Sequence, residues 1–100
     1  MIERHVVFQV VPDKSKEFEE FFRSEYALAM ARQPGFCGAE LLRPGEPGDE
    51  RVMVLRFDSL EAAQAWRESA EHKRLSPKLK SLYRNSEVRV FEVVGEQPQA

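Results

Sequence analysis

At 100 residues the chain has the length of one domain with a single core. Its 15 basic and 17 acidic residues leave a formal charge of −2, which gives no electrostatic case for nucleic acid or an anionic membrane as partner. A single cysteine, Cys37, excludes an internal disulfide, and no apolar run approaches a membrane span. With a strand pattern starting at residue 2 and no signal-like apolar segment, the expectation is a soluble cytoplasmic protein.

Residues 2 to 11 form a β-branched run that Pro12 ends, the pattern of a first strand. Asp13 or Ser15 is placed to cap a helix over 14 to 32. Phe18, Phe21, Phe22, Leu28 and Ala29 recur on one side of it, while Glu17, Glu19, Glu20, Arg23 and Glu25 fill the other. Gln33-Pro34-Gly35 stops this helix. A second strand spans 36 to 42, and the two Pro-Gly pairs in 43 to 49 mark an exposed hairpin loop. The third strand covers 51 to 57. Asp58 and Glu61 have the spacing of a capping box for a helix through Leu60, Ala62, Ala63 and Trp66 to Ser69. A shorter helical piece is expected over 71 to 75, broken at Ser76-Pro77, with another turn at Leu79, Leu82 and Tyr83. The last strand runs from 87 to 94. Residues 1 to 95 make one domain, and the polar stretch 96 to 100 is a tail.

The order β-α-β-β-α-β predicts an α+β, ferredoxin-like fold with a four-stranded antiparallel sheet. Both faces of the strands read as apolar. In strand one Val6, Phe8 and Val10 oppose Val7 and Val11; in strand three Met53, Leu55 and Phe57 oppose Val52 and Val54; in strand four Val88, Val90 and Val94 oppose Phe91 and Val93. Two helical segments cover only one face. An uncovered apolar face of this extent exceeds what soluble monomers tolerate, so the expectation is a twofold homodimer packed sheet to sheet, with a ligand cavity under the helices.

Three stretches carry a resemblance: PDKSKEFEEFF from Pro12, QPGFCGAELL from Gln33, and VLRFDSLEAAQAWRESAEHK from Val54. Their order and spacing over residues 4 to 94 resemble the antibiotic biosynthesis monooxygenase superfamily. The string PGF…E…RP…FDS…W..S is most similar to an uncharacterised branch of it. The resemblance implies a dimeric α+β barrel with a substrate cavity between sheet and helices. It also implies either quinone-forming oxygenation without a cofactor or haem degradation. Haem-degrading members use a strand-one asparagine, a tryptophan in the second helix and a ligating histidine ten residues later. Trp66 matches the tryptophan and His72 a recurrent histidine six residues on. The ligand position holds Ser76, Val6 or Val7 stands where the asparagine is expected, and haem degradation is accordingly not the expectation.

The reading that follows is a cofactor-independent monooxygenase, with no metal site, acting on a small hydrophobic or aromatic phenol- or quinol-like ligand. Its rival is a non-enzymatic barrel that binds such a ligand. Trp66 is expected as a stacking wall, with Phe8 and Val6 beside it. His72, Arg56 and Tyr83 are the candidate catalytic groups: a histidine can move a proton near neutral pH, an arginine can stabilise an oxyanion, and a tyrosine, Tyr83 or Tyr26, can supply a hydroxyl. For Trp66 a purely core role, and for Arg56 and Arg89 a solvent-reaching or ion-paired role, are the alternatives. Cys37 reads as a small buried hydrophobe.

Overall fold

The computed structural model describes residues 1 to 97. Strands β1 (Ile2–Val10), β2 (Phe36–Leu42), β3 (Glu50–Phe57) and β4 (Tyr83–Glu92) form one antiparallel sheet in the order β2-β3-β1-β4. The helices are α1 (Ser15–Phe21), α2 (Ala27–Ala31), α3 (Leu60–Glu68) and α4 (Ala70–Lys80), and a π-helical turn (Phe22–Tyr26) fuses α1 to α2. This is the ferredoxin-like βαββαβ arrangement. Its core is the slab between the helices and one sheet face, where Val6, Phe8 and Val10 of β1 and Met53, Leu55 and Phe57 of β3 point. Trp66, Phe18 and Phe57 are fully buried there, each contributing on the order of 2 kcal/mol by leaving water.

Several local details depart from the expectations, each for a visible reason. Neither Asp13 nor Ser15 caps α1. Asp13 instead occupies the left-handed region, with φ 70°, inside the tight turn after Pro12. Ser59, not Asp58, caps α3: its Oγ accepts from the Ala62 amide at 3.1 Å. The Asp58 amide is committed to the Gly35 carbonyl at 2.8 Å. Gly35 has φ 81°, and a β-carbon there would lie 2.6 Å from both Ala62 Cβ and Asp58 Oδ1, so glycine is required by conformation and by space. The π turn, in which the Ala27 amide reaches back to Phe22 O, adds a residue to the helical period. Tyr26 and Met30 therefore enter the core, and Leu28, expected inside, is 54% exposed. Helix α4 runs straight through Pro77. The proline is exposed, and so is Lys73, whose carbonyl it leaves without an intrahelical donor, so water can take that donor's place. Strand β4 begins at Tyr83, four residues early, because Asn85 and Ser86 pair with β1 despite their loop-like character. Its ladder ends at Glu92, before the expected Val94. Cys37 is exposed, not buried.

The second sheet face is mixed rather than greasy. The register places Val7, Val52, Val54, Leu42 and Phe91 on it together with Glu3, His5, Gln9, Glu40, Glu50, Arg56, Glu87 and Arg89. Arg56 is tied there to Glu3 at 3.0 Å and Glu40 at 2.7 Å. His5 meets Glu3 at 2.7 Å, and Arg89 lies over the Phe91 ring at 5.0 Å. Some of the least covered apolar surface lies on the helix side of β4, where Val88 and Val90 are each about half exposed.

Candidate functional site

A cleft of about 200 Å³ opens between the helices and the β1–β4 half of the sheet. Val6 and Phe8 form its floor, Tyr26 of the π turn and His72 of α4 stand on its helix side, and Tyr83 and Ser86 of β4 close one flank. Ring systems line it in two pairs. Phe8 packs against Tyr83 with centroids 5.0 Å apart, and Tyr26 lies 6.1 Å from His72. A flat apolar ligand would find ring faces and edges at that spacing.

Five of the residues singled out from sequence meet here: Val6, Phe8, Tyr26, His72 and Tyr83. Two do not. Arg56 lies on the opposite face of the sheet, its guanidinium committed to Glu3 and Glu40. Trp66 is fully buried behind the cleft rather than part of its wall. Its ring supports the lining edge-on, 5.4 Å from Tyr26 and 5.1 Å from His72. The indole Nε1 is buried without a well-formed hydrogen bond, a group that ordinarily has a partner.

Three cationic residues that the sequence reading passed over complete the cleft: Arg4 at its floor, Arg67 on α3 and Lys80 on α4. Arg4 alternates with Val6, Phe8 and Val10 along β1, and that two-residue period was the available signal. Ser69 fixes the geometry of the helical wall. Its Oγ donates to Trp66 O at 2.7 Å and accepts from the His72 amide at 3.1 Å, joining the end of α3 to the start of α4.

The electrostatics follow from this company. Burial lowers the His72 pKa from its ordinary 6.5, and Arg67, Arg4 and Lys80 push it the same way. The imidazole is therefore neutral at pH 7 and able to accept a proton. Burial raises the Tyr26 hydroxyl to about 12, against the smaller opposing pull of the Trp66 indole and of Arg4 and Arg67. Tyr26 is thus a donor throughout the physiological range.

Residues 1–78 match the family described as antibiotic biosynthesis monooxygenase. The chain belongs to the antibiotic biosynthesis monooxygenase family. SnoaB, a cofactor-independent oxygenase from Streptomyces nogalater, is 24% identical with a TM-score of 0.86, over 98% of this chain and 97% of its own. A mutant of MhuD, solved with two manganese protoporphyrin IX bound per active site, is 25% identical with a TM-score of 0.82, over 99% of this chain and 100% of its own. A conserved protein from Methanosarcina mazei Go1 is 18% identical with a TM-score of 0.81, over 90% of this chain and 89% of its own. A search of curated proteins finds no match. Among the described residues no helix is long and apolar enough to cross a membrane.

A tetrapyrrole fits this cleft poorly. Ser76 is the α4 side chain that lines it one turn after His72, and a serine hydroxyl is a poor axial ligand for iron. The one imidazole present is packed against Trp66 and surrounded by cations.

Proposed function

We propose that this family member oxygenates a small phenolic or quinol-like aromatic in the helix-side cleft, using dioxygen and no bound cofactor. The observation that carries the reading is a half-buried histidine, held neutral by burial and neighbouring cations, at the wall of an aromatic-lined cleft. The imidazole accepts the phenolic proton, and the positive charge of the cleft lining stabilises the phenolate left behind. An electron passes from the phenolate to dioxygen, and the resulting radicals combine at the ring carbon. Loss of water then gives the quinone, with one oxygen atom on the ring and the other in the water. The protein supplies desolvation, orientation and charge, while the reactivity resides in the substrate. Membership in the monooxygenase family supports the reaction class.

Oxygen uptake with a panel of hydroquinones and naphthols tests this. Uptake should exceed the uncatalysed rate for at least one compound and fall on the order of 100-fold in His72→Ala. Rates equal to background across the panel would leave the binding-only barrel as the better reading. Addition of haem should give no shifted Soret band.

The same proposal includes a twofold dimer. Val7, Val52 and Leu42 form an apolar strip on the open sheet face, bordered by the Glu3–Arg56–Glu40 cluster, which suits an isologous contact. Sedimentation at high dilution should show a dimer; a stable lone subunit would contradict this part.

A further inference from the structure

The unexplained feature of the cleft is its charge. Arg4 is 8% exposed, yet it forms no ion pair or side-chain hydrogen bond among the described residues. Its guanidinium nitrogens are not among the fully buried unpartnered atoms, so they face the cleft, and an arginine so largely withdrawn from water ordinarily has a carboxylate against it. Arg67 and Lys80 line the same cleft and, among the described residues, likewise have no carboxylate in ion-pair contact. The chain carries an excess of acidic residues, so this basic cluster does not follow from composition. A second groove, of about 440 Å³, runs along β4 past Val88, Val90 and Leu60, with Glu68 at its edge. It shares Arg4, Arg67 and Val88 with the inner cleft. The two arginines therefore stand at the junction of an aromatic chamber and an apolar trough.

We infer that Arg4 and Arg67 form a carboxylate-binding site, and that the substrate is an aromatic carboxylic acid whose ring occupies the inner cleft. The planar fork of a guanidinium matches the two oxygens of a carboxylate and gains most when, as at Arg4, water is largely excluded. The ring lies over Phe8 and Val6 near His72, and any apolar extension runs along Val88 and Val90. This inference rests on the cleft named in the proposed function and narrows its substrate class. It assigns the arginines a permanent anion on the ligand, separate from the phenolate that forms during reaction.

Binding of matched probes tests it without turnover. 2-Naphthoate and its uncharged amide, 2-naphthamide, lack the phenol and are not oxidised. Calorimetry should show naphthoate binding about tenfold or more tightly than the amide. That preference should weaken as salt rises and largely vanish in both Arg4→Gln and Arg67→Gln. Arg67 is exposed, so Arg67→Gln preserves the fold even if Arg4→Gln does not, and circular dichroism verifies this. Equal binding of the two probes by the native protein, or a preference unchanged in Arg67→Gln, would overturn the inference. A clear carboxylate preference with no oxygen uptake on any hydroxynaphthoate would keep the anion site and reject the oxygenase. Uptake on neutral naphthols with no carboxylate preference would do the reverse.

Discussion

Arg51 and Arg4 sit on the helix-covered face of the same sheet, and both are more than nine-tenths buried. They differ in what they meet. Arg51 on β3 places Nε 2.8 Å from Glu19, while one terminal nitrogen donates to the carbonyls of Gly48 and Glu50 at 3.0 and 2.7 Å. Glu19 also holds Arg43, and those two arginines keep its carboxyl below the usual range against the opposing effect of burial. Arg51, Arg43 and Glu19 thus all have fixed partners at that end of the sheet. At the other end Arg4 has Arg67, Lys80 and a neutral His72 around it, and among the described residues it is ion-paired with no carboxylate. The first arginine belongs to the fold. The second is held ready for something the fold does not supply, and stability given up at such a position is a recurrent sign of a binding site.

Breaking each side of this contrast should produce opposite signs. Glu19→Ala strands Arg51 in a mostly buried position and should cost about 3 kcal/mol, read by chemical denaturation. Arg4→Met removes a largely buried charge that no carboxylate pairs and should raise stability by about 1 kcal/mol, several degrees in melting temperature for a chain of this length. It should at the same time abolish the carboxylate preference. If Arg4→Met destabilised as strongly as Glu19→Ala, Arg4 would be a structural residue and the contrast would fail.

A smaller effect lies in pH. His72 has a folded pKa below its ordinary 6.5, so the unfolded chain takes up a proton that the folded chain resists. Stability should therefore fall as pH drops below about 6.5, levelling off once the folded imidazole titrates. This window lies above the one in which Glu3 and Glu19, whose carboxyls are lowered from 4.5, begin to protonate. His72→Gln should flatten the slope between pH 6.5 and the carboxylate window. An unchanged slope would mean that the imidazole is not desolvated.

The element order was readable because β-branched runs and amphipathic stretches are long and separated by Pro-Gly stops. What resisted reading lies where two local signals compete. The π turn leaves composition untouched and changes only the phase, so Tyr26 and Met30 were displaced from the expected stripe by a residue the periodicity could not reveal. Asn85 and Ser86 look like a turn, yet the neighbouring β1 recruits them into the ladder. Of the cleft lining, Val6, Phe8, Tyr26, His72 and Tyr83 were legible, since aromatic and imidazole groups on core-facing positions stand out. Arg4 was missed because an arginine near a strand start reads as solvent-facing. Arg56 was chosen for being charged inside an apolar strand, but its parity with Val52 and Val54 puts it on the other face.

The most direct measurement is a crystal structure of the protein with 2-naphthoate bound. The account predicts the carboxylate within hydrogen-bonding distance of the Arg4 and Arg67 guanidinium groups and the ring over Phe8 and Val6, beside His72. A naphthoate whose carboxylate points to solvent, or that binds on the open face of the sheet, would contradict it.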